Sequence, residues 1–73
     1  MQDRAFVEEQ LTDIKARYSG KTASFGPLED LMNLHHSLDG KGRAFLIAAL
    51  RERASDPFWT SIVAAVLGKI EAA

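Results

Sequence analysis

Cysteine is absent from the 73-residue chain. That excludes a disulfide framework, a thiolate metal site and a cysteine nucleophile. A surplus of one charge is missing as well: nine lysines and arginines stand against ten aspartates and glutamates, for a net charge of −1. Bulk positive charge, the usual footprint of a nucleic-acid binder, therefore does not select the partner. Long apolar runs are lacking too. The longest uncharged stretch, Pro57 to Gly68, has 12 residues, against the roughly 20 that a membrane-spanning helix needs. The opening Met1-Gln2-Asp3-Arg4, with Glu8 and Glu9 behind it, has neither the basic region nor the apolar centre of a secretion signal. We expect a soluble, cytoplasmic protein.

What is present reads as globular. Hydrophobic residues make up 47 % and charged residues 26 %, which suits a packed core rather than disorder. The length fits one domain over 1–73, since a second core would need roughly 50 residues of its own. Period-two alternation never persists, so the periodicity points to helices. Val7, Leu11, Ile14 and Tyr18 form one stripe of a first helix, with Asp3 as its N-cap, Asp13 and Arg17 as an i, i+4 pair, and Gly20 as its stop. Pro27 suits the first turn of a second helix, with Glu29 and Asp30 near its positive end. That helix carries Leu28, Leu31, Met32, Leu34 and Leu38 and ends at Asp39-Gly40-Lys41-Gly42.

A third helix is predicted from about Arg43 to Ala54. Its run Ala44 to Leu50 has no polar side chain, so most of its circumference should be covered. Ser55-Asp56-Pro57 then serves as stop and start, and Pro57 opens a fourth helix bearing Trp59, Ile62, Val63, Val66, Leu67 and Ile70. The fold class is therefore all-α, a compact bundle of four short helices in two helical hairpins. The expected core is Val7, Leu11, Ile14, Leu31, Leu46, Leu50, Trp59, Ile62, Val66 and Ile70.

Several stretches imitate chemistry. Gly20-Lys21-Thr22 resembles the end of a phosphate loop, but position 15 is lysine where that loop needs glycine, and a helix precedes it instead of a strand. Asp39-Gly-Lys-Gly-Arg43 looks like the start of a calcium loop, yet its later ligand positions would be Lys41, Arg43 and Leu50. His35 and His36 are adjacent, so on a helix they diverge by about 100°. His35 shares a face with Asp39, but zinc wants at least three protein ligands. The five serines and two histidines include no nucleophile elbow and no convergent triad. We therefore expect no enzyme, no cofactor, no metal and no small-molecule substrate, and folding that needs neither metal nor nucleotide.

Helix two, a glycine turn and helix three have the outline of a helix-turn-helix. A recognition helix must offer polar side chains from its N-terminal half, and here Arg43 is followed by Ala44, Phe45, Leu46, Ile47, Ala48 and Ala49. Lys41, Arg43, Arg51 and Arg53 remain as phosphate contacts, which keeps a nucleic-acid-binding regulator as the alternative. The leading expectation is a protein–protein interaction module: an adaptor, an inhibitor or immunity-type protein, or a subunit of an assembly, including a homodimer. Its candidate contact residues are Phe25, in the Gly/Pro loop, Phe6, off the helix-one stripe, and Ser61, Ala64 and Gly68. These last three lie on the back of helix four with Thr60, Ala65 and Ala72, where Glu71 is the only charge. So smooth an arc is expected to lie under helix one or three of the same chain, or else under a second copy or a partner helix.

Overall fold

The computed structural model describes residues 3–19 and 25–72, with the side chains of Phe25 and Ala72 left out of the description. Among the described residues there are four α-helices and no strand. They are α1 (Arg4–Tyr18), α2 (Phe25–Ser37), α3 (Gly40–Glu52) and α4 (Thr60–Ala72). α1 packs against α2 and α3, and α4 packs against α2 and α3. The helices thus close a ring in the order α1, α2, α4, α3, in which the chain-adjacent pairs α1–α2 and α3–α4 are sides and α2 and α3 stand across the diagonal.

α1 begins where its sequence says. The Asp3 carboxylate accepts from the Phe6 N–H at 2.9 Å, which satisfies one of the amides a helix start leaves open. Its stripe then buries Val7, Leu11 and Ile14. Arg17 does not pair with Asp13; it reaches Asp30 of α2 at 2.7 Å, and the Tyr18 hydroxyl donates to the same carboxylate at 2.9 Å. Gly20 and the Gly20-Lys21-Thr22 stretch lie outside the described residues. In α2, Pro27 sits in the first turn, where a missing N–H costs nothing, and is fully buried. Because α2 starts at Phe25, Glu29 and Asp30 fall in its second turn, and Asp30 serves the α1–α2 joint rather than the helix dipole.

The largest boundary correction is at α3. The glycine-rich turn is not outside the helix: α3 opens at Gly40, because the Asp39 carboxylate accepts from the Gly42 N–H at 2.8 Å. A good cap here outweighs the low helix propensity of two glycines. Gly42 is itself buried, and a Cβ there would stand 3.1 Å from the Leu38 side chain. α4 errs in the other direction and starts at Thr60, not Pro57. The Asp56 carboxylate accepts from the Phe58 N–H at 2.9 Å, and the Asp56 carbonyl accepts from Trp59 and Thr60. Residues 57–59 are thereby held in a turn.

That shift changes the core. Buried are Val7, Leu11, Ile14, Leu31, Leu38, Leu46, Ala49, Leu50, Trp59, Val63 and Val66. Ile62 and Ile70, expected inside, are only half-buried. Their stripe was phased from Trp59 as if that residue were helical. Since Trp59 belongs to the turn, the helix buries Val63 in place of Ile62, and Val66 as expected. Most of the α3 run is covered, as expected, with Leu46, Ala49 and Leu50 buried and Phe45 and Ile47 half-buried, but Ala44 and Ala48 are exposed.

Candidate functional site

The back of α4 is bare. Thr60, Ser61, Ala64, Ala65, Gly68, Lys69 and Glu71 are all exposed, while the helix buries Val63 and Val66 on its opposite side. A Cβ built on Gly68 meets nothing within 4 Å. The expectation that α1 or α3 covers this arc is thus corrected. α4 meets α2 and α3 through its inner face and flanks, so the ring leaves the arc outside. Lys69, at its margin, is a second charge beside Glu71.

α3 contributes a matching stripe. Ala44, Ala48 and Arg51 stand at i, i+4 and i+7 on its exposed side, as do Ala64, Gly68 and Glu71 on α4. The two stripes are joined at their ends, because the Arg51 guanidinium donates to the Glu71 carboxylate at 2.8 Å. Each helix thus carries an exposed stripe of small residues, and the Arg51–Glu71 pair links the ends of the two. Sequence spacing showed the α4 half. The α3 half was hidden because its apolar run looked like pure core.

The other predicted contact residues separate from this face. Phe6, on α1, is half-buried and packs against the core. Phe25 opens α2, and its side chain lies outside the described residues. Neither is brought to Ser61, Ala64 and Gly68 by any described contact.

The two histidines lie in the last turn of α2. The His35 and His36 rings stand 6.0 Å apart at 75°, and no group of three His, Cys, Asp or Glu among the described residues could hold a metal. Arg43 reaches back from α3 to the end of α2, donating from Nε to the His35 carbonyl at 2.8 Å and from Nη2 to the His36 carbonyl at 3.3 Å. It adds a donor to the His35 carbonyl, which also accepts from the Leu38 N–H at 3.3 Å, and supplies one to the His36 carbonyl. His35 is half-buried, and its Nδ1 is sealed with no hydrogen-bond partner. Burial, then the nearby Arg43 and His36 charges, hold its pKa below the ordinary histidine value.

Three further cations are also engaged. Arg53 forks onto Glu8 through Nη1 at 3.0 Å and Nη2 at 2.8 Å, Lys15 meets Asp56 at 3.0 Å, and Arg4 pairs with Glu52. Two clefts flank α1. One, of about 440 Å³, lies against the 53–59 connection, and the other, of about 290 Å³, lies against α2. No helix among the described residues is long and apolar enough to cross a membrane. No family model, curated protein or solved structure matches the chain.

Proposed function

We propose that the protein is a small helical interaction module that docks a helix of a partner protein on the α3–α4 face. The observation that carries this reading is the pair of exposed small-residue stripes, Ala44-Ala48 and Ala64-Gly68, joined by the Arg51–Glu71 ion pair. Small side chains let a second helix come close, and a neutralised margin lowers the cost of removing water. A solvent-facing helix surface ordinarily carries lysine and glutamate, and this one carries them only at its edges.

The nucleic-acid reading has less behind it. Of the four cations it calls on, Arg43 holds two α2 carbonyls, Arg51 holds Glu71 and Arg53 holds Glu8. Lys41 and Arg51 share the exposed side of α3 with Ala44, Ala48 and Glu52, a poor set of donors for base edges.

The deciding variant is Ala64→Arg, with Glu29→Arg on the exposed side of α2 as its control. Because Ala64 is exposed, the fold is expected to keep its melting temperature. Capture of a stoichiometric protein partner is expected to be lost for Ala64→Arg and retained for Glu29→Arg. Light scattering on the purified chain shows whether that partner is a second copy. Equal capture by both variants, or bound nucleic acid that falls away steeply between low and moderate salt, would overturn the proposal.

A further inference from the structure

Among the described residues one side-chain nitrogen or oxygen is sealed without a partner, and it is Nδ1 of His35. His35 shares a face of α2 with Leu31 and Leu38, four residues before it and three after, and both are buried, at 0 % and 3 % exposure. A neutral imidazole carries one N–H and one lone pair. Orphaned N–H groups are the rarer of the two in protein interiors, so the lone pair belongs at Nδ1. The proton belongs at Nε2, which is not sealed.

The groups around the ring make a proton there unwelcome. α3 presents Arg43, held on the His35 and His36 carbonyls, and α2 itself presents His36. Both charges oppose a proton on His35, after its burial. α1 meets α2 through Arg17 and Tyr18 at Asp30, and Lys69 and Glu71 of α4 are exposed. None of these is among the charges that act on His35. The Asp39 carboxylate, in the turn beyond, accepts from the Gly42 N–H at 2.8 Å. The last turn of α2 is tied down by few bonds: those from Arg43, and the Leu38 N–H to the Leu34 and His35 carbonyls at 3.1 and 3.3 Å.

We propose that the end of α2 is an acid-opened latch: a proton stays on His35 Nδ1 only when the last turn unwinds and Arg43 lets go of it. Protonation makes both ring nitrogens donors. With the latch closed, the new N–H meets no acceptor and the imidazolium lies near a guanidinium. Unwinding brings Nδ1 to water and lets the two charges part. The Asp39–Gly42 bond caps α3 from beyond the unwound turn, so α3 keeps its start and the opening is local. The closed latch holds the His35 pKa below the ordinary histidine value. It is therefore shut at neutral pH and opens as pH falls below the ordinary histidine range.

Amide hydrogen exchange on the full ¹⁵N-labelled chain, from about pH 7.5 to about pH 5, tests the latch. After correction for intrinsic rates, the Leu38 amide is expected to lose protection by up to about tenfold per pH unit, because the open form holds one proton more. Low urea is expected to leave the Leu38 rate unchanged while it speeds Leu11 and Ile14, which exchange through global unfolding. His35→Gln is expected to remove the pH slope at Leu38, and His36→Gln to keep it. Arg43→Gln is expected to raise the titration midpoint of the His35 ring, and ring ¹⁵N shifts of the neutral wild type are expected to place the proton on Nε2. The proposal fails if Leu38 shares the urea dependence of Leu11, if the slope survives in His35→Gln, if Arg43→Gln leaves the midpoint in place, or if the neutral ring carries its proton on Nδ1. Ala64 and Gly68 take no part in the latch, so the docking reading is tested separately.

Discussion

Along the seam between α1 and the end of α3, Arg4 meets Glu52, Glu8 meets Arg53, and Lys15 meets Asp56. On the outer face of α4, Ser61, Ala64, Ala65 and Gly68 meet nothing of the kind. Both surfaces lie over the same core, and both are helical. The seam joins residues 41 to 48 positions apart in sequence, so its charges set how α1, α3 and the connection lie against one another. Within the molecule, the α4 face makes only the Arg51–Glu71 pair at its end among the described ion pairs. Charge here marks an internal joint, and its scarcity marks a surface left for something else.

The strongest test of that contrast is beneath it. Leu46 is fully buried under the α1–α3 side, and Leu46→Ala is expected to cost about 2–5 kcal/mol. That approaches the whole stability of a domain this small, so urea unfolding should show a collapsed midpoint. Ile62→Ala, at a half-buried position on the flank of α4, should cost about 1 kcal/mol. If the two losses are equal, α4 is as much core as α3 and the contrast is mistaken.

Glycines sharpen it further. A Cβ at Gly26 would stand 2.5 Å from the Tyr18 ring, so Gly26→Ala must push the ring aside and break its bond to Asp30. A net loss of about 1 kcal/mol is expected. Gly68, in open space in the interior of α4, should do the reverse: Gly68→Ala is expected to add about 0.5–1 kcal/mol to stability. Both follow from thermal melts. A destabilised Gly68→Ala would mean that something already covers this arc.

His35 belongs to the α2–α3 joint, and pH probes it. Its pKa is lowered in the fold, first by burial, so the folded state resists a proton that the unfolded state accepts. Stability is therefore complete above the ordinary histidine range and declines as pH falls through it. Replacing the ring with glutamine should flatten the slope of melting temperature against pH near 6. An unchanged slope in His35→Gln would remove His35 as its source.

Periodicity made α1, the bundle and most of the core legible, because burial on one helix face is a local pattern. Val7, Leu11 and Ile14 needed no neighbour to be recognised. The caps were harder, since each is a competition: Asp39 drew two glycines into α3, and Asp56 kept Pro57 to Trp59 out of α4. Phasing α4 from Trp59 then misplaced Ile62 and Ile70. Of the site, Ser61, Ala64 and Gly68 were legible as a neutral arc. Ala44 and Ala48 were not, because an apolar run cannot say which of its sides is covered. The Arg43 clasp on the end of α2 and the 440 Å³ cleft depend on tertiary approach, which no spacing reveals.

The smallest expected effects lie within the seam itself. Its pairs are not equal in exposure. Arg53 and Glu8 have side chains 24 % and 33 % exposed, against 47 % and 55 % for Arg4 and Glu52. Less water around a pair means less screening, and the fork from Arg53 holds both carboxylate oxygens of Glu8. The Glu8 pKa is lowered chiefly by that fork, so its contribution is present at neutral pH and fades as pH falls through the carboxylate range. Glu8→Gln should cost about 1 kcal/mol or less, and Glu52→Gln about half of that at most. A double-mutant cycle with the matching arginine measures each pair, and repeating it in high salt should shrink the Arg4–Glu52 coupling before the Arg53–Glu8 coupling. If both pairs respond to salt alike, the seam is no more than solvated surface charge, and α1 and α3 are held together by their apolar contacts alone.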